Sequence, residues 1–449
     1  MTAAGPAPAQ GHKFDSWLRA NQRWLFYLGL AYFLVSCGLA IHRGWNYDRL
    51  GSQTCDFIAP YSGARCLLHG CNPYDSADLQ REYVAAHGSL AALDFRHDWR
   101  TLIPVYPPTT FLLLTPLTLV DYPQAQIVWF YSSSILYCLA LGLLVQFVPR
   151  PWAVVYFLLA ATTLNNANTD FLLGPGNPSA PAIALAALAV WAFYRLRARW
   201  PGVVLLALAL AMKPHMAVGV FLFLLIRRGL RKPALIAGIL ALAMLAGGAA
   251  WLQHTTGNAW RQKFSATVLN GIRPGGINDP GPGNNSAQHI LNVQALISLF
   301  AAAPSRYNLV AFGLTGLGGV LWLAGFARRG EKFDPLLAMA GLLCLSLLPL
   351  YHRDYDSRLL ILTLPPMVLL LRDRAGWAIA LLAASTPLLF SQTTMHVEHY
   401  LNVHNIISLS PLRTALLLRE GPIALLALSF LWPLALWFAR DTSSQTPAR

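Results

Sequence analysis

Residues 124–148 read QAQIVWFYSSSILYCLALGLLVQFV, without a single Asp, Glu, Lys or Arg. A helix needs about 20 apolar residues to cross the hydrocarbon core of a bilayer, so this stretch is long enough alone. It is not isolated. Trp24–Ile41, Pro233–Leu252, Tyr307–Ala327, Asp334–Leu350, Gly376–Phe390 and Gly421–Ala439 are also long and nearly free of charge. Over the whole chain 55% of residues are hydrophobic and 12% charged. A soluble domain carries about 25% charged residues. The composition therefore predicts an all-α polytopic membrane protein.

The net charge of +14 raises the question of nucleic acid, and its placement answers it. Arg195, Arg197 and Arg199, then Arg227, Arg228, Arg231 and Lys232, then Arg328, Arg329 and Lys332, all stand at the ends of apolar runs. That is how Lys and Arg mark cytoplasmic loops. They form no continuous stripe that could track a groove, so no nucleic-acid partner is expected and membrane lipids are.

Lys13, Arg19 and Arg23 precede the first apolar run, and no small-residue cleavage site follows it. This reads as a retained anchor with its N-terminus inside. If 106–120 crossed the membrane, Arg195–Arg199 would fall outside. Read instead as a short helix at the outer surface, opened by Pro107-Pro108 and containing Pro116, it leaves every basic cluster inside. The resulting map has about 12 spans. It divides into a cytoplasmic tail 1–23, a catalytic membrane module 24–252 with an external loop 43–123, an external loop 253–305, a C-terminal membrane module 306–440 and a cytoplasmic tail 441–449. Residues 1–12, rich in Ala, Pro and Gly, are expected to be disordered.

The first external loop carries CDFIAPYSGARCLLHGCNPYD over 55–75. Phe57, Ile58, Tyr61, Ala64, Leu67 and Leu68 recur at helical spacing, which predicts an amphipathic helix lying on the bilayer surface and ending at Gly70. Asp56 stands at its start, where it either caps the helix or acts as a carboxylate base. A Cys66–Cys71 disulfide suits an external loop, and two reduced, part-buried cysteines suit the sequence equally well.

Further along come Gly70-Cys71-Asn72-Pro73-Tyr74, Tyr106-Pro107-Pro108, Gly174-Pro175-Gly176-Asn177 and Met212-Lys213-Pro214. In this order the motifs resemble glycosyltransferase family 87, over about residues 20–375, where the family often has Gly-Gln ahead of the Asn. The resemblance implies a GT-C-type bundle and mannosyl transfer from a polyprenyl-phosphate sugar donor to a lipid or glycan acceptor. It implies Asp56 as general base. The chemistry agrees, because a phosphate leaving group needs little acid help while the acceptor hydroxyl must lose its proton as it attacks. A single base fits displacement with inversion; retention would call for a second carboxylate as nucleophile.

Lys213, with His215 beyond Pro214, is expected at the carrier phosphate, the alternative being a lysine that merely snorkels to the interface. Tyr351-His352-Arg353-Asp354-Tyr355-Asp356-Ser357-Arg358 is the densest polar run between apolar stretches. His352 is expected to handle a proton, and Arg353, Asp354 and Arg358 to bind substrate. Arg65, Tyr106, Asn177 and Asp170 complete the expected substrate-binding set, although Asp170 also fits a plain Asn/Asp turn. No cofactor is required; a divalent cation is compatible with the residue types. His396, Glu398 and His399 have ligand character at helical spacing but lack a clear third ligand. Residues 270–286, dense in Gly, Pro and Asn, read as a flexible external loop, either a lid or a disordered segment. A transporter or flippase of a lipid-linked sugar is the alternative. It would place its polar groups at mid-membrane on broken helices, whereas here they gather at span ends.

Overall fold

The computed structural model describes residues 11–47, 55–89, 105–284, 286–301, 303–329, 334–391, 393–404 and 409–438. The expectations for residues 1–10 and for the tail 441–449 lie outside these; Gly11 and His12, expected with 1–10 to be disordered, instead begin the helix Gly11–Ala20. Among the described residues the chain is helical and has no strand, with one isolated antiparallel bridge between Ile290 and Arg353.

Among the described residues, five helices are long and apolar enough to cross a membrane: Gln22–Tyr47, Tyr122–Phe147, Arg231–Thr256, Pro304–Arg329 and Glu420–Trp437. Their outward faces are apolar and exposed, as at Leu34, Ile135, Leu242, Leu309 and Val320. Seven further apolar helices have 10–17 residues. Several of these are short because the sequence interrupts them.

The clearest interruption is at Lys213. One apolar run becomes two helices, Trp200–Met212 and Pro214–Ile226. Pro214 has no N–H to give and disfavours helical geometry in the residue before it; Lys213 accordingly turns away at φ −150° and ψ 84°. The break orphans carbonyls at the end of the first helix. Thr110 Oγ1 donates to the Met212 carbonyl at 2.6 Å, and Thr109 Oγ1 donates to that of Ala211. Both threonines follow the Tyr106-Pro107-Pro108 motif on the short helix Pro108–Leu114.

The Ser179–Arg195 helix forms the centre. Its sequence, SAPAIALAALAVWAFYR, is buried on nearly every side, as a helix apolar all round should be. Its alanines let the Tyr122–Leu143 and Trp200–Met212 helices approach closely. Arg195, Arg197, Arg199 and Arg227 gather at its C-terminal end, where Arg195 donates to the Gln146 carbonyl and Arg199 Nη1 to that of Gly229 at 3.3 Å.

The Cys55–His69 helix departs from its expected amphipathic form. Of its residues only Leu68 and His69 are exposed, and Cys55, Asp56 and Arg65 are half-buried. The Pro108–Leu114 helix and the Ser76–Ala85 helix cover it. Its C-terminal turn is closed by a Cys66–Cys71 disulfide, with Gly70 at φ +75°, and Cys55 stands outside the bridge. Tyr74 of the same turn donates its hydroxyl to the Tyr106 carbonyl at 2.8 Å, joining the two motifs.

At Gly63 this helix touches its cover. A Cβ there would lie 2.5 Å from Cε1 of the buried Phe111. Gly63→Ala is therefore expected to destabilise the protein by about 1–3 kcal/mol through overpacking. A thermal midpoint in detergent equal to that of the native chain would exclude this close contact.

Candidate active site

Three breaks in the helical bundle bring polar side chains to one place. The first is the Gly174–Asn177 turn before the central helix, with Gly176 at φ +70°. It holds the start of the Cys55–His69 helix directly, because the Asp56 N–H donates to the Pro175 carbonyl at 2.9 Å. Trp129 Nε1 donates to the Gly176 carbonyl at 2.7 Å from the other side. The second is the Lys213 break. The third is the polar run 351–358, where Asp354–Thr363 winds as a tight 3₁₀ helix.

Asp56 does not use its carboxylate to cap its own helix. Oδ2 instead accepts from Asn177 Nδ2 at 2.7 Å, and the same nitrogen donates to the Tyr355 hydroxyl at 3.1 Å. The other side of this amide, Asn177 Oδ1, accepts from Lys213 Nζ at 3.4 Å. Lys213 Nζ also donates to Ser179 Oγ and to Asp356 Oδ1, the latter at 3.2 Å. Ser179 Oγ donates to Asp356 Oδ1 at 2.6 Å, and Asp356 Oδ2 accepts from the Arg353 N–H at 3.1 Å. Lys213 is 8% exposed and Asp356 2%, so the ion pair lies away from water, where it needs this full set of partners. A hydrogen-bonded chain thus runs from Asp56 through Asn177 to Lys213 and Asp356.

The two carboxylates are tuned in opposite directions. Burial raises the Asp56 carboxyl above its ordinary range, against the pull of Asn177, Lys213 and Arg353. Burial would raise Asp356 too, but Lys213 and His352 outweigh it and hold that carboxyl well below the ordinary range. Of the two, Asp56 therefore holds a proton more readily, while Asp356 stays ionised.

His352 is completely buried; Nδ1 lies 3.5 Å from Asp356 Oδ2, and neither Nδ1 nor Nε2 has a hydrogen-bond partner among the described residues. The His215 ring is 5.1 Å from it, centroid to centroid. Ligand-type atoms of His215, His352 and Asp356 all fall within 4.8 Å of one another, so these three could hold a metal ion, in competition with Lys213 for the carboxylate. Tyr106 is buried beside the cluster, where burial and then the Asp56 and Asp356 charges push its phenol well up.

The structure gives the other expected residues different neighbours. Arg353 donates to the Tyr351 hydroxyl and to the carbonyls of Ser286 and Ile277, at 3.3 and 3.0 Å. It fastens the 273–286 segment to the cluster. That segment is held together internally too, by Asp279 accepting from the N–H groups of Gly275 and Gly281 at 2.8 and 2.9 Å. Arg358 is wholly buried among the carbonyls of Thr163, Leu388 and Leu389 and the Thr169 hydroxyl. Asp170 pairs with Arg43 at 3.1 Å, and Arg65 with Glu82 at 3.2 Å. These four side chains already have protein partners, and their contacts tie segments together. Ser179 is a member the sequence reading did not name, and Asp356 one it placed in the polar run 351–358 without a role of its own. Both have a sequence signal in hindsight: Asp356 stands four residues after His352, and Ser179 two after Asn177.

Asp354 joins a neighbouring cluster. Its Oδ2 is 2.9 Å from His289 Nδ1, and His289 Nε2 is 3.4 Å from Glu398. Burial would depress the imidazolium, but the two carboxylates overcome it and hold its pKa at about 9, against an ordinary 6.5. The folded state thus favours charged His289. Its stabilising contribution is complete below pH 6.5 and disappears as pH rises through about 9. The thermal midpoint of the native chain is expected to fall over that window, and His289→Ala to flatten the fall. A midpoint equal at both ends of the window would rule the pairing out.

Comparison with known protein families gives a match. The model of glycosyltransferase family 87 covers residues 105–350. It takes in Tyr106, Asp170, Asn177, Lys213 and His215; Asp56 precedes it, and His352, Arg353, Asp354 and Arg358 follow it at once. No curated protein and no solved structure matches the chain.

Proposed function

Because the chain belongs to glycosyltransferase family 87, we propose that it moves a hexose, mannose first among the candidates, from a polyprenyl-phosphate carrier to a lipid-linked or glycan acceptor at the extracytoplasmic face. The protein is then a GT-C-type enzyme of the cell membrane. The observation that carries the reading is the chain Asp56–Asn177–Lys213–Asp356, which puts a carboxylate of raised pKa and a buried ammonium on the two sides of one amide.

In the reaction, the acceptor oxygen bonds to the anomeric carbon while its proton passes to the Asp56 carboxylate. The bond from that carbon to the phosphate oxygen breaks on the opposite side, so configuration inverts. The departing polyprenyl phosphate carries its negative charge towards Lys213, with His352 and His215 alongside. Asn177 holds Asp56 still, and a fixed base within hydrogen-bond reach is what proton transfer requires. The Cys66–Cys71 disulfide supports an oxidising compartment for this end of the molecule. The gathering of arginines at the opposite end of the Ser179–Arg195 helix supports the same orientation.

The test incubates purified protein with a panel of polyprenyl-phosphate sugars and membrane lipid extract, and follows product by mass spectrometry. Formation of a glycosylated lipid or glycan with release of polyprenyl phosphate is the expected result. In liposomes, movement of an intact lipid-linked sugar between leaflets with no product would replace this reading with transport.

A further inference from the structure

The end of the molecule away from Asp56 holds a second polar site. The central helix runs 17 residues from Ser179 to Arg195, about 25 Å at 1.5 Å per residue. Where it ends, a cavity of about 630 Å³ is lined by Tyr194, Arg195, Arg197, Arg199 and Arg227. These residues come from two segments, the end of the central helix with the loop behind it and the loop after the Pro214–Ile226 helix. Helix orientation requires basic residues in such loops, but it does not require them to converge on one cavity.

Two of the guanidinium groups are held in place. Arg195 donates to the Gln146 carbonyl and lies 4.7 Å from the centroid of the Phe147 ring; Arg199 donates to the Gly229 carbonyl. Asp334 is the carboxylate whose charge reaches Arg195 and Arg227, yet its Oδ1 accepts from the Leu336 N–H at 2.8 Å as a helix cap. Among the described residues, four arginines against one committed carboxylate leave a positive excess. Guanidinium forks match phosphate oxygens two by two. Trp200, which follows Arg199 directly, is 62% exposed, and an exposed indole next to basic residues suits the boundary between headgroups and acyl chains.

We propose that this cavity binds a phosphate anion, presented by the headgroup of an acidic phospholipid. Each arginine near such a headgroup strengthens binding by about 5-fold. Native mass spectrometry of the full-length protein, solubilised with phosphatidylglycerol or with phosphatidylcholine, tests this. The native chain is expected to retain phosphatidylglycerol selectively. Arg195→Gln with Arg199→Gln should weaken retention about 25-fold, while Arg195→Lys with Arg199→Lys should keep most of it. Equal retention of both lipids, or undiminished retention by the Gln variant, overturns the site. A thermal shift produced by millimolar inorganic phosphate, lost in the Gln variant and without lipid retention, would overturn the lipid source and leave a free anion as ligand.

Discussion

Asp56→Asn is expected to lower kcat by about 10²- to 10⁴-fold, the usual contribution of a positioned base, with little change in stability. The substituted amide keeps an oxygen that can accept from Asn177 Nδ2, so the contact at 2.7 Å can persist without its charge. The pH profile separates this from a structural effect. Asp56 must be ionised to work, and burial raises its pKa. Activity of the native chain should therefore fall on the acid side above the ordinary carboxylate range, and residual activity of the variant should lose that limb. Turnover near the native level from a well-folded Asp56→Asn chain would remove Asp56 from the reaction.

Lys213→Met should damage both fold and function. Removing the ammonium leaves Asp356 charged, 2% exposed and short of its cation, a change that costs about 3–5 kcal/mol in a buried pair. Adding Asp356→Leu should recover much of the thermal midpoint, since an apolar pair replaces an ionic one, but should not recover transfer. That split between stability and turnover tells a lysine that serves the phosphate from one that only neutralises Asp356. If the double variant regains both, Lys213 has no part in the chemistry.

The sequence was most legible where one physical demand dominated. Apolar length marked the long helices, and Lys213-Pro214 marked a break because proline permits little else there. Asp56, Asn177, Lys213 and His352, chosen from separate segments, meet in one cluster. The number of spans was less legible, since helices of 10–17 residues do not announce how deeply they lie. The Cys55–His69 helix looked amphipathic because its apolar spacing is correct, while the helix that covers its other face comes from residues 108–114. Arg353 and Arg358 illustrate the hardest case. A guanidinium suited to phosphate is equally suited to backbone carbonyls, and only the fold decides which it meets. Ser179 went unmarked, and Asp356 had no role of its own within the polar run, for the converse reason, since neither residue type signals that its oxygen will meet a lysine from another helix.

The split at Lys213 also bears on the lipid around the protein. Each of the two helices flanking it has 13 residues and so reaches about 20 Å, against a hydrocarbon thickness of about 30 Å. Rooted at the arginine-rich end, such a pair stops well short of the far boundary. Water and headgroups must dip to meet it, or the bilayer must thin locally. Under the proposed function, a phosphate tethered to a long prenyl tail would sink into a dimple to react, and membranes of greater thickness should slow transfer.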